Sequence, residues 1–351
     1  MKRFLLSILN GERNDGVAVL VRIPLLLVSI FYGFAVKCIL LGYQYGWFKK
    51  RKLPVPVVSI GNLTVGGVGK TPMCIFLAKM LTARNVKPLV LTRGYSPGLC
   101  KEELGESDEV QLLREALGDV PVVSGSNRYK SGLMAMAEYK PEVVLLDDGF
   151  QHWKLYRDLD ILLIDCTNPF GNGFLLPAGI LREYSTAISR AGLIILTKAD
   201  RGNVLELRKQ IDLFYSGISI AEAVHRPVSL TDIFTSQEIP LKKIQAPVVG
   251  FCGIGDPLSF KALLISVGSD VKEFIPYMDH HDYQINDMIK IRKHCEHVGV
   301  KTIVTTKKDA VKLMAFKDLW LGYNLYSLNI QIEITKGLDE IRRKLDHLLL
   351  R

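Results

Sequence analysis

The stretch Ser59–Pro72, SIGNLTVGGVGKTP, constrains this chain more than any other. It follows a β-branched run, VPVV, and precedes PMCIFLAKM, whose apolar residues recur at helical spacing. Strand, glycine-rich turn and helix in that order form the context a phosphate-binding loop requires. Gly66, Gly67 and Gly69 free the backbone to turn its N–H groups toward an anion, and the helix N-terminus adds its dipole. The candidate cradle is therefore Gly66, Gly67, Val68, Gly69, Lys70 and Thr71. Lys70 can reach the β/γ-phosphates, and Thr71 can offer a hydroxyl to Mg²⁺. One position breaks the common pattern: the spacing G-x-x-x-x-G-K-[ST] would put glycine at 64, and the chain has Thr64.

The rest of the chain fits a core built around that loop. KPLVLTRGY, VPVVSG, PEVVLLDDGFQH, LDILLIDC and AGLIILTKAD read as buried strands with helical segments between them. This predicts an α/β, P-loop NTPase-like parallel sheet with helices on both faces. A shorter run of the same alternation begins near Ala246 and predicts a second, smaller α/β domain. The expected organisation is an N-terminal segment over 1–50, a P-loop core over 51–230 and a C-terminal domain over 231–351.

PEVVLLDDGFQH ends an apolar strand in Asp147 and Asp148, the form of a Walker B element. One carboxylate can hold Mg²⁺ and the other can orient it. SDE (107–109) opens a helix, where acids suit the dipole. MDHHDY (278–283) sets two histidines among aspartates; a histidine bonded to an aspartate can assist a general base. LTKAD (196–200) and TTKKD (305–309) resemble the [NT]-K-x-D base reader of GTP-binding proteins, which keeps a switch GTPase as a competing reading. A deviant Walker A ATPase is a third, although Val65 stands where those proteins carry lysine.

At 351 residues, 48% hydrophobic and 23% charged, the chain has the composition of a folded globular protein. Its net charge of +9 favours an anionic partner. The six cysteines form no CxxC pair and read as reduced, small apolar residues. Near the N-terminus an uncharged run from Ile23 to Val36 is shorter than the roughly 20 residues that cross a bilayer. Aromatics Tyr43, Tyr45 and Trp47 and the basic cluster Lys49–Lys52 follow it. Together they predict a helix lying in the headgroup region of an anionic leaflet.

Taken in order, GNLTVGGVGKTP (61–72), LTRGY (91–95), SDE (107–109), DDGFQH (147–152), LRE (181–183), DHH (279–281) and TTKKDAVKL (305–313) resemble the tetraacyldisaccharide 4'-kinase family, the lipid A 4'-kinases of Gram-negative bacteria. Thr64 is itself a feature of that family. The resemblance implies transfer of the ATP γ-phosphate, with Mg²⁺, to the 4'-hydroxyl of an acylated disaccharide 1-phosphate, giving lipid IVA. The implied partners are that lipid and a membrane surface rather than nucleic acid, at the cytoplasmic face of the bacterial inner membrane. Carried onto this sequence, Asp108 is the implied catalytic base and His280 its helper. Lys70 and Arg182 stabilise the transferring phosphoryl group, and Thr71, Asp147 and Asp148 hold the metal. The chain departs from the family pattern at Val110, Tyr184 and Lys307, which puts local loop geometry, but no catalytic group, in question.

Overall fold

The structure, a computed structural model, describes residues 7–9, 13, 15–94 and 108–350. The chain divides into two compact units, residues 1–224 with 334–351, and residues 225–333. The sequence pattern runs the second domain to 351. The last helix, Leu338–Leu349, instead returns to the first unit, where its Asp346 pairs with Arg84.

In the first unit the strands are β1 (Val57–Asn62), β2 (Pro88–Thr92), β3 (Val122–Ser124), β4 (Val143–Asp147), β5 (Leu159–Asp165), β6 (Leu193–Thr197) and the first part of β7 (Ile220–Asp232). They align in the order β3-β2-β4-β1-β5-β6-β7, and every pair is parallel. β1, β2, β4 and β6 are buried at every position, which is why they read as continuous apolar runs rather than alternating ones. β1 lies between β4 and β5, and Ile60 registers with Asp147. The phosphate loop and the acidic pair thus leave the same end of adjacent strands, where open α/β sheets bind ligands.

Helices Lys70–Thr82, Asp108–Leu117, Arg128–Tyr139 and Val204–Phe214 complete the alternation. Leu53, Val57, Leu89, Leu91, Val144 and Leu146 form one apolar cluster. Leu63, Phe150, Leu162, Ile164, Ile194 and Leu196 anchor another.

The second unit holds β8 (Glu238–Ile239), β9 (Pro247–Cys252), β10 (Asp270–Pro276), β11 (Thr302–Thr306) and most of β12 (Asn324–Lys336). Its parallel order is β10-β9-β11-β12, and β8 pairs antiparallel with the end of β7. Helices Pro257–Ser266 and Ile285–Val298 cover it around Phe251, Met288, Ile291 and Ile303 on one side and Phe260, Leu264 and Val304 on the other.

Near the N-terminus one helix runs from Gly16 to Gln44, longer than the uncharged run anticipates. Asp15 starts it by accepting from the Ala18 amide. Arg22 and Lys37 do not interrupt it, since long basic side chains can snorkel from an apolar helix. By length and composition it could cross a membrane. Ala18, Ser29, Gly33 and Val36 mark a buried stripe, while Leu20, Leu27, Phe31 and Phe34 are exposed.

Gly61 is where β1 and the turn after β4 come closest. A Cβ there would stand 2.7 Å from the Phe150 amide nitrogen, which is backbone and cannot step aside. Gly67 faces open space instead. Gly61→Ala is expected to cost about 1–3 kcal/mol of stability, whereas Gly67→Ala stays within about 0.5 kcal/mol. Thermal unfolding of the two ligand-free variants checks this, and equal midpoints would contradict the close approach.

Candidate phosphoryl-transfer site

The site grows from the end of β1. Gly66 and Gly69 both have positive φ (122° and 92°), a conformation that side chains resist. Gly69 is the N-cap of helix Lys70–Thr82, and no side chain caps that end. Its first amides are thus available to an anion.

Thr64 has a structural reason. The Asn62 amide donates to the Thr64 carbonyl (2.7 Å) and to its hydroxyl (3.1 Å). Thr64 also bridges to Leu181, the Val65 amide donates to the Ile180 carbonyl (2.8 Å), and the Arg182 amide donates to the Leu63 carbonyl (2.7 Å). The entry to the phosphate loop is thus strapped to the segment that carries Arg182.

The charged groups converge on the acidic pair. Lys70 Nζ donates to Asn62 Oδ1 (3.3 Å) and lies 3.8 Å from Asp148 Oδ1. Arg182 Nη1 contacts both Asp148 oxygens, at 3.0 and 3.1 Å. The Thr71 hydroxyl donates to Asp147 Oδ2 (3.2 Å). Asp147 is 3% exposed, and its Oδ1 has no protein partner. Burial first, then the neighbouring Asp148 charge, pushes its pKa up to about 7. Burial also pushes Asp148 up, but Lys70 and Arg182 outweigh it and hold that carboxyl below the ordinary value. The two aspartates are therefore electrostatically unequal.

An orphaned buried carboxylate oxygen, a hydroxyl and a second carboxylate suit Mg²⁺, a hard cation that takes one or two carboxylates plus phosphates and water. Among the described residues no group of three or more His, Cys, Asp and Glu gathers, so a cage made wholly of protein ligands is not what these residues offer. Sequence reasoning places Lys70, Thr71, Asp147, Asp148 and Arg182, and the structure brings all five together.

It assigns no role to Asn62, Gln151, Glu183 or Arg128. The Gln151 amide donates to the Asn62 carbonyl (2.8 Å) and to Glu183 Oε1 (3.1 Å), and Glu183 is locked by Arg190 (2.6 Å). Arg128 is 5% exposed, with its Nε unpartnered. Burial, then Arg93, lowers its pKa, and the Asp148 and Asp147 charges act the other way. Burial, with Arg128 the largest of several cationic neighbours, also drives His152 down to about 4. Gln151 and His152 stand within DDGFQH and Glu183 within LRE, and that placement is the one sequence signal that points to them.

Asp108 is the first residue of helix Asp108–Leu117, and its side chain lies outside the described residues, as does Ser107. The neighbouring Glu109 adds to the charge that raises Asp147, which sets this helix start within electrostatic reach of the acidic pair.

The histidines sit in the second unit. His280 has φ 58°, is about half exposed, and its amide donates to the Gly253 carbonyl (3.1 Å). Its Nε2 lies 3.1 Å from Lys308 Nζ; an ammonium can only donate, so Nε2 accepts. His281 instead packs beside Tyr277 and Tyr283 and pairs with Asp287 (2.9 Å). The structure thus separates an outward histidine from a packed one.

Each element that resembles a base reader has one charged group tied internally. Buried Lys198 pairs with Asp165. Buried Asp309 accepts from Thr306 Oγ1 (2.6 Å) and from the Gly253 amide (3.0 Å), and so braces the loop ahead of the histidines. Asp309 is thus turned away from any guanine, whereas Asp200 of LTKAD is exposed.

Residues 21–349 match the family model described as tetraacyldisaccharide-1-P 4'-kinase. A tetraacyldisaccharide 4'-kinase of Halothermothrix orenii is 33% identical, with 91% of each chain covered. That of Geobacter sulfurreducens is 37% identical, covering 87% of this chain and 88% of its own. The crystal structure of LpxK from Aquifex aeolicus in complex with ATP superposes with a TM-score of 0.73 at 31% identity, covering 94% of this chain and 99% of that one.

Two outcomes follow from this geometry. Between the ordinary value of 3.8 and about 7, folded Asp147 keeps a proton that the unfolded chain has lost. Stability therefore falls as pH rises through that window and levels off above it. Asp147→Asn removes the slope. In metal-free buffer its stability relative to wild type should improve by roughly 2–3 kcal/mol between pH 5 and pH 8. An offset that ignores pH would refute the buried, raised carboxyl. His281→Ala should cost about 1–3 kcal/mol and His280→Ala less than about 0.5 kcal/mol; denaturant titration tells them apart.

Proposed function

Because the chain belongs to the tetraacyldisaccharide-1-P 4'-kinase family, we propose the following division of labour for its reaction. The reaction is transfer of the ATP γ-phosphate to the 4'-hydroxyl of a tetraacylated disaccharide 1-phosphate, a step of lipid A biosynthesis. The observation that carries the assignment of roles is the convergence of Lys70, Thr71 and Arg182 on Asp147–Asp148 beside an uncapped helix start.

The loop amides from Gly66 to Thr71 bind the phosphate chain, as fixed dipoles that need no reorganisation. Lys70 and Arg182 leave Asp148 for the phosphoryl oxygens as charge spreads over them. That exchange frees Asp148, so that Thr71, Asp147 and Asp148 would hold Mg²⁺, which when bound would supply neutralisation of the phosphate charge. Asp108 takes the proton from the sugar hydroxyl, and the family resemblance gives His280 a supporting role.

The acceptor is an acylated anion, and the N-terminal helix fits the surface it comes from. Ser29 and Tyr32, at the middle of that helix, hydrogen-bond to the loop at 175–182 of the folded core. A helix pinned at its midpoint to a polar core lies along the membrane surface more naturally than across it. Lys49–Lys52 follow at its end, where anionic lipid or substrate phosphate would be met. The seated apolar helix and the basic cluster after it support the reading of a protein that works at the cytoplasmic face of the inner membrane, on lipid rather than nucleic acid.

The test mixes the full chain with Mg²⁺, γ-labelled ATP and detergent-dispersed tetraacyldisaccharide 1-phosphate. Label is expected in the lipid. Asp108→Ala should lower that transfer by about a hundredfold or more while ATP still binds. Full transfer by Asp108→Ala would remove the base assignment. Hydrolysis with GTP preferred and no labelled lipid would favour the switch reading.

A further inference from the structure

Arg182 is held by its backbone from two sides. Its amide donates to the Leu63 carbonyl at the entry to the phosphate loop (2.7 Å). Its carbonyl accepts the Tyr32 hydroxyl of helix Gly16–Gln44 (2.9 Å), 150 residues away in sequence. One turn earlier on the helix, the Ser29 hydroxyl donates to the Leu175 carbonyl (2.9 Å). Next to Tyr32, Gly33 allows a close approach. A Cβ at Gly33 would stand 2.4 Å from the Tyr184 hydroxyl and 2.7 Å from Leu175 Cδ1. The apolar helix is thus seated on the very segment that presents Arg182, with two of its polar groups directed there.

Tyr32 keeps its donor proton: burial first, then Glu183, raises its pKa, and Arg182 opposes this only in part. The exposed side of the same helix is apolar, with Phe31 and Phe34 adjacent to the seated residues. No role in the reaction read above uses Tyr32.

We infer that Tyr32 is a positioning residue for Arg182, fixing the carbonyl of that residue so that its guanidinium starts from one place. Without the bond, the 182–183 peptide loses the partner of its carbonyl, while the Arg182 amide, in the preceding peptide, stays tied to Leu63 and the Glu183 side chain to Arg190. Arg182 then spends less of its time aimed at the acidic pair and at the phosphoryl oxygens that replace it. Small misplacements of such a group are costly to rate while leaving binding nearly intact. The inference rests on the reading of Arg182 as the group that stabilises the transferring phosphoryl.

The experiment compares Tyr32→Phe, Arg182→Ala and the double variant in the full chain. It measures kcat and KM for ATP and for the acceptor lipid in mixed micelles. Sedimentation with vesicles of anionic lipid and thermal unfolding accompany each variant. Tyr32→Phe should lower kcat about fivefold, with both KM values within about twofold and with sedimentation unchanged. In the Arg182→Ala background it should cost nothing further, because groups that act as one unit are not additive. An unchanged kcat, or the same loss in both backgrounds, overturns the inference. So does a loss that appears only in KM for lipid or in sedimentation, since that is membrane docking alone. Full kcat in Arg182→Ala removes the premise instead, and that single variant tells the two failures apart.

Discussion

A carboxylate that water barely reaches governs this site. Asp147 closes a fully buried strand, and the strand register holds it beside β1 whatever its charge. Its neighbour Asp148 survives as an anion because two cations approach it. Every other feature of the site accommodates that pair. Thr71 offers a hydroxyl, Asn62 takes one hydrogen bond from the Lys70 ammonium, and the Leu63–Val65 strap keeps Arg182 within reach. Without these contacts the pair would be a buried charge with no compensation, among the costlier defects a fold can carry.

The two aspartates stand in unequal environments. One is nearly dry, with one oxygen orphaned and the other bonded to Thr71; the other is partly exposed and ion-paired. On the proposed reading, a metal would meet the orphaned oxygen of the first, and the second only once nucleotide phosphates had drawn its cations away. Binding of nucleotide and of metal would then be coupled through Lys70 and Arg182.

Much of this is legible in the sequence because its signals are local. A buried parallel strand writes itself as an apolar run, and a phosphate loop needs glycine where φ turns positive, so β1, β4, the loop and the residues Lys70, Thr71, Asp147 and Asp148 can be read directly. Arg182 comes through the family resemblance, since nothing in LRE alone points to Asp148. What escapes depends on contacts distant in sequence. Gln151 meets Asn62 only because β1 and β4 are neighbours. Arg128 opens a helix that carries no motif, and its burial appears only once β2 and β3 align. The N-terminal helix outruns its uncharged stretch because Arg22 and Lys37 look like limits in the sequence and are not. The return of the last helix to the first unit leaves no mark in hydrophobic periodicity, which reports faces and not destinations. LTKAD shows the converse: the lysine of a pattern suited to base recognition is held in an internal ion pair with Asp165.

The pairing of Asp148 with Lys70 and Arg182 also bears on what the resting protein ignores. A phosphate site lined only by cations captures any small anion in the cell. Here Lys70 and Arg182 both face the Asp148 carboxylate, so an anion taken up by Arg182 would replace a carboxylate that contacts it through both oxygens. On the proposed reading, a polyphosphate arriving with its metal would satisfy all three displaced partners together, and selectivity would come from exchange rather than from capture.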